Sequence, residues 1–423
     1  MRKWLVLLSV SALLALAAGG CTTTNTAKVD VPSGSAAEAP KVTIKLLQFK
    51  AEITEQVLDM AKQYMAENPD VVIDAQVLKD YDIALVTSFA AGEAPDIFSI
   101  KSFTDVQDWS PFLADLSGEP WMSKVSPSAV RGMTVNGRQL GFPMSVEAYG
   151  FIYNKDLFAK AGVRQVPTTI SELRQVNRKL RAAGIVSYSE GYKEWWVLGQ
   201  HLLNLPFAYE KEPIGFIEQI NRGEKRIADL AKIDGFFDVL DMTLEYGKGR
   251  ESVGVSYDEQ VYAFASGQTA MMQQGVWTLE SIRKINPNIR MGMFAIPLSD
   301  DPADTKLPVG VPGYYVVNKD SKHLEESKKF LNWLHDNGQK YLVDSFKSIP
   351  AFTDLHTTEE LGPLAADLTA YAAAQKTIPW AHAWWPSGTI QEFSSTLQAY
   401  VGGVLNREQA VAELQRLWEA HHE

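Results

Sequence analysis

Apolar residues in the first part of the chain recur with two different periods. The segments 41–49 and 71–77 are short and rich in β-forming residues, and 71–77 alternates apolar and polar positions. Between them, apolar residues from Ile53 to Tyr64 recur at helical spacing. A second helical segment leads to an apolar run at 94–100. This strand–helix–strand–helix–strand order predicts a largely parallel sheet with helices on both faces.

A second α/β unit is predicted to start near Gly150. Within it, the segment 167–184 carries apolar residues along one helical face and ends in glycine. Thr169 and Glu172 stand three residues apart at its start, a spacing that predicts a capping box. Ligands of open parallel sheets bind outside the carboxyl ends of the strands, so the strand-to-helix junctions are the first places to look for a site.

The N-terminal 21 residues form a different physical class from the rest. A positively charged start precedes an apolar stretch too short to span a bilayer with margin, which predicts a secretion signal at residues 1–21. The sequence AAGGC at 17–21 resembles a bacterial lipobox, although Ala18 stands where leucine is most common. Cys21 is then the lipidation site, and residues 22–40 form a flexible tether. A chance thiol is the alternative interpretation.

Length and composition limit the remaining possibilities. The 423 residues exceed one ordinary core and predict two domains. A net charge of −11 argues against nucleic acid as a partner, since phosphate binding needs a basic face. A single cysteine and seven scattered histidines show no metal-ligand spacing, so neither a metal nor another cofactor is expected.

Three later motifs carry a family resemblance. The first is YNKDLF at 153–158, continued by the Pro-Thr and Glu-Leu of 167–173. The second is FASGQTAMMQQGVW at 264–277, and the third runs from a glycine-rich turn through a strand and a helix at 309–334. Together they resemble the extracellular solute-binding proteins of ABC importers, and more narrowly the carbohydrate-binding group that includes maltose-binding protein.

The resemblance implies an α/β, two-lobed, periplasmic-binding-protein-like fold of type II. Both lobes are expected to be discontinuous, with the N-terminal lobe formed by 41–148 and 292–330 and the C-terminal lobe by 149–291 and 331–423. Hinge crossings are expected at three places: Glu147 to Phe151, Met291 to Pro297, and near Phe330. A sugar site is expected in the cleft between the lobes.

Tryptophan is the residue type that suits such a cleft. An indole is a flat apolar platform that covers the C–H face of a sugar ring, while polar groups bond the hydroxyl rim. Trp277 stands at a position where the family has a sugar-stacking aromatic residue. Trp195-Trp196 and Trp384-Trp385 are adjacent pairs, and we expect one member of each, Trp196 and Trp384, to meet the ligand while the other packs.

The other tryptophans are expected to pack rather than to contact ligand. Trp333 and Trp418 lie at apolar positions of helical segments and are expected in the core. Trp109 and Trp121 flank Pro and Gly turns, where packing under a surface loop is expected.

Polar site candidates come from the resemblance and from the strand ends. Glu147, in SVEAYG, occupies the position of a sugar-binding glutamate in maltose-binding protein, or else is a hinge carboxylate paired with a lysine. Carboxylates suit sugar hydroxyls because they accept two charge-assisted hydrogen bonds. The further candidates follow the first and third strands or lie in the second and third motifs: Gln48, Glu52, Lys101, Ser102, Asp258, Tyr262, Gly313 and Tyr314. For Asp258 and Tyr262 a solvated helix face is the alternative.

These features predict a binding protein rather than an enzyme. Lobes close around an oligosaccharide by hinge bending, and the loaded form, expected to be a monomer, would dock on the permease subunits of an ABC importer. The protein would sit on the outer face of the cell membrane through its lipid anchor. A non-sugar solute is one alternative. The other is a lipid-anchored glycoside-active enzyme, for which carboxylate pairs such as Glu190/Glu194 and Asp238/Asp241 would be the candidates.

Overall fold

The computed structural model describes residues 42–78 and 80–422. The predicted secretion signal, the lipidation site Cys21 and the tether therefore lie outside the described residues. Among the described helices, none is both long and apolar enough to cross a bilayer.

Strands and helices alternate along the described chain. The strands are β1 (Val42–Gln48), β2 (Val71–Val77), β3 (Ile97–Ile100), β4 (Thr134–Val135), β5 (Arg138–Gln139), β6 (Phe142–Pro143), β7 (Glu147–Asn154), β8 (Val186–Ser189), β9 (Thr269–Gly275), β10 (Met291–Phe294), β11 (Leu307–Gly310), β12 (Tyr314–Val317) and β13 (Thr377–Pro379). The α-helices are α1 (Thr54–Glu67), α2 (Tyr81–Ala90), α3 (Phe103–Trp109), α4 (Pro127–Arg131), α5 (Lys155–Lys160), α6 (Ile170–Ala182), α7 (Leu203–Ala208), α8 (Pro213–Asn221), α9 (Ile233–Tyr246), α10 (Tyr257–Ala265), α11 (Leu279–Ile285), α12 (Leu324–Asp336), α13 (Gly362–Ala373), α14 (Thr389–Val401) and α15 (Arg407–His422). Wide π-helical turns precede α7, at Trp196–Leu202, and follow α12, at Gln339–Ser345.

The first sheet has the strand order β2-β1-β3-β12-β6. β1 pairs in parallel with β2 and with β3, as the alternating elements of the sequence predict. β12 and β6 complete the sheet as antiparallel neighbours, so strands distant in sequence close it. The carboxyl ends of β1 and β3 thus open on the same edge, where residues 48–52 and 100–103 follow them.

Helix α6 begins as the sequence predicts, with one difference in its cap. The Thr169 side chain accepts a hydrogen bond from the Glu172 backbone N–H at 3.1 Å. The Glu172 carboxylate instead accepts from the backbone N–H of Thr168 at 2.7 Å, one residue earlier than a standard capping box.

The second sheet is organised around the long strand β7. Its order is β13-β11-β7-β9-β8, with β10 also paired to β7. β9, β10 and β11 all run antiparallel to β7. This strand is buried along almost its whole length because it is covered by sheet partners on its edges and by helices on its faces.

The apolar side chains form three clusters, one around the first sheet and two around the second, the smaller of which lies between β7, β9, β10 and α10, α11, α13. The chain therefore folds into two lobes. The first core gathers residues 44–144 with 314–352, and the second gathers residues from 149 to 298 with 378–418. The chain passes from the first sheet to the second between β6 and β7, and the first crossing stays predicted near Glu147. It returns between β11 and β12.

Two of the expected lobe boundaries are wrong. Residues 292–310 belong to the second lobe, because β10 and β11 both pair with β7. The return crossing is therefore at 310–314 rather than near Met291. Most of the segment 331–352 belongs to the first lobe, because Leu331, Tyr341 and Phe352 pack in its core, whereas Val343 and Ile349 pack against the second sheet. The apolar runs were visible in the sequence, but which sheet each run joins depends on contacts between distant segments.

Candidate functional site

The end of β3 and the first turn of α3 in the first lobe meet both tryptophan pairs of the second lobe. The Phe103 ring stacks on the Trp384 indole, with 5.6 Å between ring centroids and 27° between planes. The Thr104 hydroxyl lies 3.0 Å from the Ala383 carbonyl oxygen and 2.9 Å from that of Trp385. These contacts join the rims of the two lobes across a cleft.

Lys101 makes the neighbouring contact across the same cleft. Its ammonium donates to both carboxylate oxygens of Asp82 at 2.8 Å. It also lies over the Trp195 ring of the second lobe, 5.9 Å from the centroid, and over Phe49 at 5.5 Å. An ammonium over an indole face is attracted by the ring quadrupole. Lys101 and Phe103, two residues apart, thus contact Trp195 and Trp384 of the second lobe, and both indoles are only partly buried.

A buried ion pair lies deeper in the cleft. Lys50, which follows β1, donates to Glu147, the first residue of β7, and lies 3.8 Å from Glu52. Burial alone would lower the pKa of Lys50, but the negative charges of Glu147 and Glu52 raise it above its ordinary value. Burial raises the pKa of Glu147, and the Lys50 charge offsets only part of that rise. The pair therefore links the first lobe to the crossing strand.

Tyr257, the first residue of α10, completes this charged cluster. Burial raises the pKa of its phenol, and the negative charges of Glu52, Asp258 and Glu147 raise it further. Its backbone N–H donates to the Glu194 carboxylate at 2.9 Å. Its ring lies 6.4 Å from that of Trp196, so α10 brings a phenol and an indole towards the Lys50–Glu147 pair.

Two indoles lie over glycines on the strands that flank β7. Gly275 of β9 is the register partner of Tyr149, and Gly310 of β11 is the partner of Glu147. A Cβ on Gly275 would lie 2.0 Å from the Trp277 ring, and a Cβ on Gly310 would lie 2.5 Å from the Trp380 ring. Each glycine therefore leaves the space that an indole fills, which fixes where both indoles lie.

Two buried histidines pack among these indoles. The His201 imidazole stacks on Tyr149, with 4.5 Å between ring centroids, and lies 5.2 Å from Trp277. Burial lowers the pKa of His382 to about 3, and it lowers that of His201 well below its usual range. Both imidazoles are neutral at ordinary pH, so this part of the second lobe is polar without carrying charge.

Four of the predicted site residues have structural roles instead. Gln48 is fully buried, and its amide donates to the Tyr315 hydroxyl at 2.9 Å while accepting from the Lys50 backbone N–H. Tyr314 is buried, and its hydroxyl donates to the Ala129 carbonyl at 3.1 Å. Assigning these two side chains to ligand contact was wrong, because their polar atoms are already used inside the first lobe.

Gly313 and Trp385 are the other two. A Cβ on Gly313 would lie 2.9 Å from the Phe49 ring and 3.0 Å from the Ile100 carbonyl oxygen, so the glycine allows close packing. Trp385 is 1% exposed and packs 4.8 Å from Phe207 in the second core. Its neighbour Trp384 is partly buried and stacks on Phe103 of the first lobe, and its contact with ligand stays a prediction.

Among the tryptophans expected to pack, one lies deeper than predicted. Trp418 is buried in the second core, and Trp333 packs against Tyr64 of the first lobe. Trp109 packs on Phe98, as expected of an indole under a loop. Trp121 is only 1% exposed and belongs to the first core, so the surface-loop interpretation was wrong there.

The remaining candidates lie at the margin of the cleft or outside it. Ser102 caps α3, its hydroxyl accepting from the Asp105 backbone N–H at 3.0 Å. Asp258 is exposed in the first turn of α10, and Tyr262 is 56% exposed on a helix face that does not carry the buried residues Val261 and Phe264. These exposures fit the solvated helix face that the sequence left open for the two residues.

The two carboxylate pairs named as candidates for a glycoside-active enzyme accept hydrogen bonds within the second lobe. Arg407 donates to Asp238 at 2.7 Å and to Asp241 at 2.6 Å. Glu190 accepts from the Lys248 backbone N–H at 2.9 Å, and Glu194 from that of Tyr257. In residues 42–78 and 80–422, no group of three or more His, Cys, Asp or Glu side chains is arranged to hold a metal ion.

Four cleft residues were missed by sequence reasoning: Lys50, Phe103, Thr104 and Tyr257. Lys50 and Phe103 stand at the strand-to-helix junctions 48–52 and 100–103, and Thr104 follows directly in α3, so position alone was an available signal. Tyr257 was obscured because its segment offered Asp258 and Tyr262 as more polar choices. The Ser256–Glu259 capping box, which places Tyr257 at the helix start beside the sheet edge, was the usable clue.

Comparison with known proteins gives a consistent result. A family model described as bacterial extracellular solute-binding protein matches residues 50–341. The multiple sugar-binding protein of Streptococcus mutans is 24% identical over 330 residues, covering 74% of this chain and 76% of that protein. The sn-glycerol-3-phosphate-binding periplasmic protein of Shigella flexneri is 27% identical over 325 residues, covering 68% of each.

Solved structures show the same architecture. The solute-binding protein RafE in complex with raffinose superposes with a TM-score of 0.77 at 23% identity, covering 90% of this chain and 100% of that one. The predicted two-lobed type II fold is therefore confirmed.

Proposed function

Because the chain belongs to the bacterial extracellular solute-binding protein family, we propose that it captures a neutral oligosaccharide between its two lobes and delivers it to the permease of an ABC importer. One observation carries this proposal. The segment Lys101–Thr104 of the first lobe contacts Trp195 and Trp384 of the second, which supports a ligand site between the lobes to which indoles from two separate loops contribute.

Carbohydrate is the ligand class that this lining suits best. Partly exposed indoles at Trp195, Trp196, Trp277 and Trp384 offer apolar faces for sugar C–H groups. Several such platforms suit more than one sugar ring. The Glu147 and Glu52 carboxylates are acceptors for hydroxyl groups. The names of similar proteins support a carbohydrate ligand, since one is a multiple sugar-binding protein and another was solved in complex with raffinose.

The charges in the cleft favour a neutral ligand. Lys50 is paired with Glu147 and Glu52, and Lys101 is held by both oxygens of Asp82. These five groups comprise two cations and three carboxylates, an excess of one negative charge. At Lys50 an anion would have to displace a carboxylate from a buried ion pair, and breaking such a pair costs roughly 3–5 kcal/mol. The Lys101–Asp82 pair is partly exposed and contributes roughly 0–1 kcal/mol, so the argument rests on Lys50. This argues against a phosphorylated or uronic acid ligand, although one relative is named for sn-glycerol 3-phosphate.

Closure, not catalysis, is the proposed mechanism. A ligand shifts an open–closed equilibrium only by binding the closed form more tightly. Contacts to Lys101 and Phe103 from the first lobe and to Trp277 and Trp384 from the second would supply that difference. The closed form would present both lobes to the permease together.

Export and anchoring complete the proposal. The predicted signal at residues 1–21 would direct the chain out of the cytoplasm, and lipidated Cys21 would hold it at the outer face of the cell membrane. Each buried methylene of an acyl chain contributes about 0.8 kcal/mol to membrane binding. Labelling with a radioactive fatty acid, compared between the natural chain and a Cys21→Ala variant, tests this step.

A ligand panel tests the central proposal. The panel contains the neutral trisaccharides raffinose, maltotriose and xylotriose, and the anions trigalacturonate and sn-glycerol 3-phosphate. We expect a rise in unfolding temperature with a neutral trisaccharide, no smaller sugars released, and no rise with either anion. Stabilisation by an anion alone would replace the sugar with another solute, and released products would make the protein an enzyme.

A further inference from the structure

We infer that Gln260 and Gln274 are positioning residues for Trp277, and that they turn its indole N–H away from the ligand so that only the ring face is offered. The inference rests on the proposed function, because Trp277 is taken as a ligand platform. Neither glutamine was a candidate in the sequence, and both are completely buried.

The two glutamines form a chain of hydrogen bonds that ends at the indole. Gln260 Nε2 donates to the Ser189 carbonyl at 2.9 Å. Gln274 Nε2 donates to Gln260 Oε1 at 2.8 Å. Trp277 Nε1 donates to Gln274 Oε1 at 3.2 Å. The chain therefore runs from the end of β8, through α10 and β9, to the indole.

The chemistry of its two ends fixes the direction of this chain. A backbone carbonyl can only accept, so Gln260 must present its NH₂ group to Ser189 and its oxygen to Gln274. An indole N–H can only donate, so Gln274 must present its oxygen to Trp277. No amide in the chain can be reversed without placing two donors or two acceptors face to face. A buried chain of this kind selects one geometry.

Two glycines leave the space that the hydrogen-bonded side chains of Gln260 and Trp277 need. A Cβ on Gly191 would lie 2.5 Å from Gln260 Oε1. A Cβ on Gly275 would lie 2.0 Å from the Trp277 ring and 2.4 Å from the Ala148 carbonyl oxygen. The indole is thus held by a hydrogen bond at its nitrogen and by close packing along its benzene edge.

The consequence for the ligand is specific. Because its N–H is taken by Gln274, Trp277 contacts a sugar through its ring face and gives no hydrogen bond to a hydroxyl. A phenyl ring in the same place would keep most of the contact. Removing the ring, or freeing it to rotate, would lose it.

Binding of the panel trisaccharide that stabilises the natural protein most is the first test. We expect Trp277→Phe to weaken binding by less than about fivefold. Trp277→Ala and Gln274→Met should each weaken it by about tenfold or more, and a tenfold loss equals about 1.4 kcal/mol of binding free energy. Gln260→Met, which breaks the chain one step further away, should have a smaller effect in the same direction. Equal losses for Trp277→Phe and Trp277→Ala, or unchanged binding in Gln274→Met, would overturn the inference.

The matched control is Asn221→Leu. Trp418 Nε1 donates to Asn221 Oδ1 at 2.8 Å, so this change also removes an amide acceptor from an indole of the second lobe, but in its buried core. It should lower stability and leave the affinity of the folded protein unchanged. A loss of binding equal to that of Gln274→Met would reduce the glutamines to a general structural role.

A second readout needs no ligand and separates this inference from the proposed function. Hydrogen exchange of the Trp277 indole N–H, followed by ¹⁵N NMR, should be slow in the natural protein and fast in Gln274→Met. Fast exchange in the natural protein would refute the hydrogen bond itself. Slow exchange together with no sugar binding would support the positioning of Trp277 by Gln274 and refute the proposal that the ligand is a sugar.

Discussion

Replacing Thr104 with valine would remove one cross-lobe hydrogen-bond donor while keeping the shape of the side chain. The Thr104 hydroxyl lies within 3.0 Å of two carbonyl oxygens, those of Ala383 and Trp385. A hydroxyl has one proton, so it donates to one carbonyl at a time or is shared between both. The variant therefore loses about one hydrogen bond between the lobes and nothing within either lobe.

The expected magnitude follows from this single bond. A hydrogen bond between neutral groups contributes a net ~0.5–1.5 kcal/mol, which corresponds to a factor of about 2 to 12 in an equilibrium constant. If closure is part of binding, the closing equilibrium falls by that factor and the measured affinity falls with it. The dissociation rate should rise by a similar factor, because the contact is made after the lobes meet.

Calorimetric titration with the best panel trisaccharide would measure the affinity, and stopped-flow fluorescence the dissociation rate. The matched control is Thr369→Val, whose hydroxyl donates at 2.9 Å to the Ala365 carbonyl within α13. Both variants lose a threonine-to-carbonyl bond, but only Thr104 bridges the lobes. Small-angle X-ray scattering of the ligand-free proteins would report the average opening directly.

Two results would refute this reasoning. If Thr104→Val binds as tightly as the natural protein, the contact does not contribute to closure. If Thr369→Val weakens binding equally, the effect comes from general destabilisation rather than from the lobes. A larger average radius for Thr104→Val without ligand, beside an unchanged radius for Thr369→Val, would support the interpretation.

Three further predictions use other features of the second lobe. Gly275→Ala should displace the Trp277 indole, weaken sugar binding at least tenfold and lower the free energy of unfolding by about 1–3 kcal/mol. The control is Gly254→Ala, whose added Cβ meets nothing within 4 Å. It should change neither the affinity nor the stability. Burial raises the pKa of Glu190 from 4.5 to about 7, so between these pH values the folded state holds a proton that the unfolded state has released. Stability should therefore fall by about 3 kcal/mol from about pH 4.5 to 7 and change little above that. Glu190→Gln should flatten this loss, as urea unfolding at about pH 5 and 8 would measure. Trp385→Ala should cost about 3–5 kcal/mol of stability, whereas Trp384→Ala should cost much less and chiefly weaken ligand binding, as thermal unfolding with and without sugar would measure.

The sequence was sufficient for the elements whose signals are local. The predicted strands at 41–49, 71–77 and 94–100 and the helix after Thr169 all form close to their predicted bounds. Their apolar period, turn residues and caps lie within a few positions of one another along the chain. Such signals do not depend on what the element packs against.

Lobe membership could not be obtained in the same way. The strand 291–294 and the segment 331–352 are both apolar, and either lobe could have buried them. The first joins β7 of the second lobe, and the second joins a core that begins near Ile44. Only pairing between segments hundreds of residues apart decides this, and a single sequence does not encode such pairing in any local pattern.

The predictions for the site also differ in whether they depend on local sequence or on distant partners. That one tryptophan of the pair at 384–385 would pack and the other face the cleft followed from chain geometry, since neighbours point in different directions. Gln48 and Tyr314 were misjudged because a polar atom in the sequence does not reveal its partner. In the fold their partners are the Tyr315 hydroxyl and the Ala129 carbonyl, which lie far away along the chain.

The interleaving of the two lobes has a consequence for how the protein acquires its shape. The middle of the first sheet needs β12, about 220 residues after β3, and the second sheet ends with β13 near residue 377. A chain emerging end-first from a translocation channel therefore cannot complete either half until most of its length has passed through. Such long-range closure is intrinsically slow. If the chain is exported as proposed, this delay would keep it unfolded, and so able to pass through the channel, until most of it has crossed.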